Sequence, residues 1–258
     1  MIGAIAGDII GSVYEHAPLK SKEFPLFGRG CRFTDDTVLT IAVAAAILSR
    51  RPYQETLREF GQRYPAAGYG GSFFRWLRAA DPQPYNSWGN GAAMRVSPIG
   101  FACATAAEVL VETARSAACT HNHPEGIKGA QAAALAVFLA RTGNSREEIR
   151  TEIATRFGYD LSRTVAAIRP GYSFDISCQG TVPEALIAFL DSTSYEDAIR
   201  NAVSLGGDSD TLACISGGIA EAFYGGVPAA IAGSAIQHLT PDLYRVCEEF
   251  YRQYGMIK

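Results

Sequence analysis

The chain has 258 residues, with 23 lysines and arginines against 26 aspartates and glutamates, for a net charge of -3. At 48% hydrophobic and 19% charged residues it is globular in composition and long enough to bury a core as one large domain. No basic stripe is present, which argues against direct nucleic-acid binding, and no run reaches the ~18 apolar residues of a membrane span.

From the start of the chain, Met1 to Gly11 is apolar, but it lacks a basic leader and carries Asp8 in its middle, so it does not read as a signal peptide. Asp35 to Ser49 is the clearest helix: Val38, Ile41, Ala42, Ala45 and Leu48 share a face, and Arg50-Arg51-Pro52 ends it. Tyr53 to Tyr64 continues as a helix with Leu57 and Phe60 inward, stopping at Pro65. Ala102 to Ala118 is rich in small residues and suits close helix packing. Pro124 stands well as the first residue of a helix to about Ala140, because its missing N–H would be unpaired there in any case. Ser145-Arg146-Glu147-Glu148 is a capping-box pattern opening a helix to about Phe157. Pro183–Leu190, Tyr195–Leu205, Thr211–Phe223 and Pro241–Tyr254 complete the set. Strand alternation is scarce and alanine abundant, so the pattern predicts an all-α fold in one compact domain, residues 1–258, without linker or repeat. The six cysteines (Cys31, Cys103, Cys119, Cys178, Cys214, Cys247) are scattered and form no C-x-x-C pair. They predict reduced thiols in a cytoplasmic protein and no zinc site.

Glycine gathers at Gly68-Tyr69-Gly70-Gly71, Gly89-Asn90-Gly91, Gly206-Gly207, Gly217-Gly218 and Gly225-Gly226. The last two pairs read as close helix crossings or helix C-caps. The others read equally as caps or as loops that bring backbone amides up to a phosphate.

Two acidic segments carry most of the chemical signal: Thr34-Asp35-Asp36-Thr37 and Asp208-Ser209-Asp210-Thr211, each just before an apolar helix. One reading is a pair of N-caps with a spare acid each. The other starts from the repulsion of neighbouring acids that lack a cation between them. On that reading the clusters meet, and their carboxylates and threonine oxygens form a hard-oxygen set suited to Mg²⁺ or Mn²⁺, two ions being needed to offset four charges. Asp8 reads as a buried hydrogen-bond acceptor and Glu15, on the residues alone, as a solvated side chain. His121-Asn122-His123-Pro124 lacks zinc-helix spacing and reads as a cap and a loop contact, with His121 available to a substrate. Neither a nucleophile-elbow serine nor a P-loop lysine motif is present.

In their order along the chain, these segments resemble the ADP-ribosylglycohydrolase family, metal-dependent enzymes that remove ADP-ribose from modified proteins. The resemblance runs through nearly the whole chain. It rests on Gly7-Asp8 with Gly11, Thr34-Asp35-Asp36-Thr37, Gly68-Tyr69-Gly70-Gly71 and Trp88-Gly89-Asn90-Gly91-Ala92-Ala93-Met94-Arg95. Thr120-His121-Asn122-His123-Pro124-Glu125-Gly126 and Gly207-Asp208-Ser209-Asp210-Thr211 follow. It implies a compact orthogonal helical bundle of that family's type. It implies that Thr34, Asp35, Asp36, Asp208, Asp210 and Thr211 hold two Mg²⁺, with Mn²⁺ serving in some members, and that Glu15 is a glutamate that reaches the metals. The loop from Ser87 through Trp88, Gly89, Asn90 and Gly91, with Met94 behind it, would wrap ADP-ribose. Trp88 would stack on adenine, Tyr85 would cover its other face, His121 would lie near the ligand and Ile176 would line the adenosine end. Branches acting on ADP-ribosyl-arginine carry an Asp shortly before the Gly-Asn-Gly loop, where this chain has Asn86 and Ser87, so the resemblance leans toward the serine-type architecture.

The expected chemistry is glycoside hydrolysis on an ADP-ribosylated protein or related conjugate by a monomeric enzyme. Two metals would clamp the distal ribose and orient a water, Glu15 or Asp36 would take its proton, and amides of Gly70, Gly71 and the Ser87–Gly91 loop would carry the diphosphate. Two rival classes are a non-catalytic ADP-ribose-binding module and a magnesium-dependent phosphoesterase acting on nucleotide diphosphates.

Overall fold

The computed structural model describes residues 1–255, so the last three residues of the expected domain lie outside the described residues. Its helices are α1 (Ile2–Gly11), α2 (Asp35–Ser49), α3 (Tyr53–Arg63), α4 (Gly71–Arg78), α5 (Ser97–Ala102), α6 (Ala106–Ala118) and α7 (Pro124–Arg141). After them come α8 (Arg146–Phe157), α9 (Val165–Ile168), α10 (Cys178–Leu190), α11 (Tyr195–Ser204), α12 (Ser209–Tyr224), α13 (Ala229–Gln237) and α14 (Pro241–Tyr254). The described residues contain no strand; the one extended pairing is an antiparallel bridge between Gly89 and Ser177. The predicted all-α class therefore holds, and no described helix is long and apolar enough to cross a membrane. All six cysteines are free thiols.

The centre of the molecule is the pair α1 and α12. Every residue of α1 is buried, and α12 is buried from Ser209 to Ala222. Around this pair α2, α5, α7, α10 and α11 pack against α12, with α6 and α8 laid outside α7 and α14 outside α2. A helix that is apolar all round belongs in such a position.

Glycine sets how closely the two central helices approach. Gly3, Gly7 and Gly11 recur every four residues and so share one face of α1. A methyl group at Gly3 would lie 2.5 Å from the carbonyl oxygen of Gly217, and methyls at Gly7 and Gly11 would overlap the carbonyls of Ala213 and Ser209. Gly217 returns the contact against the Gly3 carbonyl, as expected of a close crossing. Buried polar groups lock the far end of the crossing: Glu221 of α12 accepts from the Gly3 N–H at 2.8 Å and from the Tyr251 hydroxyl. Tyr195 donates to the Gly3 carbonyl at 2.7 Å.

Two expected helices are redrawn. Ala102–Ala118 is two helices, because Thr105 turns extended and caps α6 in a reciprocal box with Glu108, whose carboxylate takes the N–H groups of Ala104 and Thr105. The helix expected from Pro183 begins at Cys178, capped by the Ser177 hydroxyl on the Gly180 N–H at 3.0 Å. Pro183 thus lies inside a helix, and the carbonyl it leaves unpaired belongs to Gln179, an exposed residue. Helices α1, α4, α9 and α13 were not expected, nor was α5 before its last residue, Ala102. The predicted Ser145–Glu148 capping box and the start of α7 at Pro124 are both present.

Gly7→Ala should lower unfolding stability by about 3 kcal/mol or more, because the new methyl meets backbone that cannot yield. Gly233→Ala, in the open interior of α13, should raise it by up to about 1 kcal/mol. Chemical denaturation of both variants checks the pair, and a tolerated Gly7→Ala would show that the crossing can relax.

Candidate functional site

Asp8 lies on α1 and faces the first turn of α2. Its carboxylate accepts from the Thr34 N–H at 2.9 Å, the Thr34 hydroxyl at 2.6 Å, the Thr37 N–H at 3.1 Å and the Thr37 hydroxyl. It is the structural acceptor expected from the sequence, and it joins the central helix to the start of α2. Burial nevertheless pushes its carboxyl up to about 6, against the pull of those four bonds.

That arrangement removes the capping role from the neighbouring acids. The N-cap of α2 is the Thr34 hydroxyl, which accepts from the Asp36 N–H at 3.3 Å. Asp208 occupies the N-cap position of α12 but makes no side-chain cap bond. Its carboxylate turns instead to Asn90, which donates at 2.7 Å while also reaching the Thr181 hydroxyl at 3.1 Å. The N-cap reading of the acidic pairs is therefore set aside, because no carboxylate among Asp35, Asp36 and Asp208 caps its helix.

The two clusters, far apart in sequence, do meet. Carboxylate oxygens of Asp8, Asp36 and Asp210 lie within 4.8 Å of one another, and so do those of Glu15, Asp208 and Asp210. Asp210 belongs to both groups. The Thr211 hydroxyl donates to Asp36 Oδ2 at 3.4 Å, while Asp36 Oδ1 is buried without a partner. Among the described residues no lysine or arginine forms an ion pair with Asp8, Asp35, Asp36, Asp208 or Asp210. Burial, then the charge of Asp8, pushes Asp35 up to about 8. The same causes hold Asp36 well above the usual carboxylate range, and burial followed by the charge of Asp36 does so for Asp210. Burial also raises Glu15, with His16 opposing and Asp208 assisting. An all-oxygen cluster with an orphaned acceptor and no basic partner fits hard divalent cations.

Every expected site residue except Trp88 lines a single cleft of about 500 Å³. The acids share its lining with Gly70, Gly71, Tyr85, Ser87, Gly89–Gly91 and Ile176. The Asn90 N–H donates to the Ile176 carbonyl at 2.7 Å and the Cys178 N–H to the Trp88 carbonyl at 2.9 Å, which zips the two loops together. At α4 the N-cap is Gly70, which offers no side-chain cap, so the first amides of that helix are free toward the cleft. Nothing in the protein's own packing requires glycine at 70 or 71. Gly207, by contrast, lies under the Tyr172 ring, which leaves it a packing role.

Trp88 is 53% exposed and stands beside His123, ring centroids 5.7 Å apart, outside the cleft lining. His123 caps α7 through the Glu125 N–H at 3.1 Å, and Asn122 accepts from the Asn86 N–H at 2.7 Å, the cap and loop contact expected of that segment. Among the lining residues that escaped the sequence reading are His16, Arg32 and Phe174, the last an exposed aromatic near Ile176 in the chain. A lone aromatic in an irregular loop carries no periodic signal, so only the folded geometry finds it. The side-chain role of Asn90 was likewise missed: it orients Asp208.

A family model described as ADP-ribosylglycohydrolase matches residues 1–256. The chain is 26% identical to ADP-ribosylhydrolase ARH3 of Danio rerio, over 87% of this chain and 81% of that protein. It is 23% identical to ADP-ribosylarginine hydrolase Tri1 of Pseudomonas putida (strain GB-1), over 87% of this chain and 69% of that one. A solved structure titled ADP-ribosylglycohydrolase-related protein complex superposes with a TM-score of 0.72 at 25% identity, covering 99% of this chain and 97% of its own.

The raised carboxyls bind protons more tightly in the folded than in the unfolded chain. Stripped of divalent cations, the protein should therefore be most stable near the ordinary carboxylate range of about 3.9. It should lose stability as pH rises through about 6 for Asp8 and about 8 for Asp35. Mg²⁺ at a hundred times its Kd should flatten that slope and add about 2.7 kcal/mol, or about 5–10 °C in Tm for a chain of this size. Thermal melts between pH 5 and 8, with chelator or with Mg²⁺, read both effects. A slope indifferent to Mg²⁺ would exclude the acids as the cation site.

Proposed function

The chain belongs to the ADP-ribosylglycohydrolase family and is a hydrolase acting on the glycosidic bond of ADP-ribose, and we propose that it releases ADP-ribose from a modified protein side chain or a related conjugate. The observation that carries the reading is the single cleft, whose lining combines clustered acids with an uncapped helix start and a glycine loop. An anionic nucleotide carrying a sugar matches both features at once.

Thr34, Asp35, Asp36, Asp208, Asp210, Thr211 and Glu15 would hold two Mg²⁺, or Mn²⁺ in their place. Bound there, the cations supply positive charge that offsets the carboxylates and acidity toward the ribose hydroxyls and water. The remaining steps belong to side chains and amides of this protein. Amides of Gly70, Gly71 and the Gly89–Gly91 loop receive the diphosphate. Trp88, Phe174 and Ile176 supply apolar surface for the adenine end. As the bond from C1 of the distal ribose breaks, the sugar gains oxocarbenium character. Glu15 takes the proton of the attacking water: it lines the cleft from a loop and keeps access to solvent, whereas Asp36 is 2% exposed and serves the cation site. Asn86 and Ser87, in place of an acid before the Gly-Asn-Gly loop, favour an oxygen-linked acceptor such as serine over arginine.

A substrate panel tests this directly: serine-linked, arginine-linked and polymeric ADP-ribose and O-acetyl-ADP-ribose, each with Mg²⁺ and with Mn²⁺. Free ADP-ribose as product supports the reading, whereas AMP with ribose phosphate would assign a phosphoesterase. Asp36→Ala and Asp210→Ala should abolish release, and full activity in either would overturn the cation site. Glu15→Ala should lower turnover by about 10²–10⁴-fold while ADP-ribose affinity stays within about twofold. An unchanged turnover would remove Glu15 from the chemistry.

A further inference from the structure

Among the described residues Arg95 is the largest fully buried side chain, 0% exposed. It forms no ion pair: one terminal nitrogen donates to the Ser116 carbonyl at 2.8 Å and to the Thr120 hydroxyl at 3.0 Å, while its Nε and other terminal nitrogen have no partner. Ser116 lies in the last turn of α6, where free carbonyls favour a cation. That accounts for the charge being tolerated. It leaves open why a buried guanidinium is placed beside Tyr85 and His121.

The bond to Thr120 answers that question. A threonine hydroxyl has one proton and can accept two. Arg95 fills one acceptor position with a group that only donates. The Thr120 proton is taken up by the other hydrogen-bond partner of that oxygen, at 2.7 Å, when Nδ1 of His121 is the accepting nitrogen. His121 is buried, and burial with the charge of Arg95 beside it holds the imidazole well below its usual range, so the ring is neutral. In a neutral imidazole with Nδ1 accepting, Nε2 carries the hydrogen. Nε2 is the atom set against the glycine loop: a Cβ at Gly91 would come within 3.2 Å of it and one at Gly89 within 3.6 Å.

We propose that Arg95 and Thr120 are positioning residues that fix His121 as its neutral Nε2–H tautomer, so that the cleft presents the nucleotide with a fixed hydrogen-bond donor at this point. The acceptor is a diphosphate oxygen of ADP-ribose held over Gly89–Gly91. That assignment of the ligand rests on the proposed function, whereas the tautomer does not. An uncharged donor fixed in advance reads an anionic oxygen without placing a second buried cation next to Arg95.

The test uses the whole protein labelled with ¹⁵N in its four histidines, the His121 signals being assigned by their loss in His121→Gln. The ligand-free wild type should show a protonated Nε2 and an unprotonated Nδ1 at neutral pH. A protonated Nδ1 overturns the proposal whatever the substrate proves to be. Thr120→Val keeps the side-chain shape but removes the hydroxyl. It should mix the two tautomers and weaken ADP-ribose binding by about tenfold, the worth of one hydrogen bond to a charged group. Thr120→Ser should restore both. If Thr120→Val leaves the tautomer and the affinity as in wild type, the positioning role is excluded. If the wild type does not bind ADP-ribose, the functional reading fails while the ring spectrum still decides the tautomer.

Discussion

Where α1 crosses α12 no side chain stands between the two backbones, because Gly3, Gly7 and Gly11 meet the carbonyls of Gly217, Ala213 and Ser209 directly. This closeness gives the rest of the site its geometry. Gly11 sits against the backbone of Asp210, and Asp8, on the same helix, reaches the first turn of α2. One buried helix therefore sets the separation of two helix starts that each carry acids. A side chain in the crossing would push α12 away, and with it the carboxylates that Asp210 shares between its two groups of neighbours.

Charge concentrated in this way is tolerated because the surrounding backbone is already committed. Asp8 spends its oxygens on the start of α2, the Thr34 hydroxyl does the capping, and Asn90 takes Asp208. What remains is oxygen with no hydrogen left to accept, inside a protein, which is the condition under which carboxylates take up either protons or metal.

Much of the helical layout was legible in the sequence. Both ends of α2 and α14 and the start of α7 follow from caps, prolines and apolar spacing, all local signals. The misread elements answer to non-local causes. Pro183 signals a helix start, yet Ser177 supplies a better cap upstream and solvent absorbs the lost bond. The helix α13 carries no distinctive pattern and is held by packing against α1. At the site, the meeting of the two acidic pairs was inferable because one oddity occurred twice. The use of Asn90 as a hydrogen-bond donor to Asp208 was not, because a glycine-flanked asparagine reads first as a turn. The glycines divided in the same manner: those at 217 and 207 answer to packing, while those at 70 and 71 answer to nothing inside the protein.

The bridge between Gly89 and Ser177 ties the wall holding Trp88 to the wall holding Ile176, anchored by α7 on one side and α10 on the other. The acids hang on different elements: α1, α2, α12 and the loop bearing Glu15, His16 and Arg32. The two sets of elements meet where Asn90 reaches across to Asp208 and where α7 and α10 pack on α12, so the cleft is a joint braced from both sides. In the loop after α1, His16 and Arg32 make no such cross-tie to the far wall in their hydrogen bonds, so substitutions there can reshape the cleft mouth without disturbing the joint.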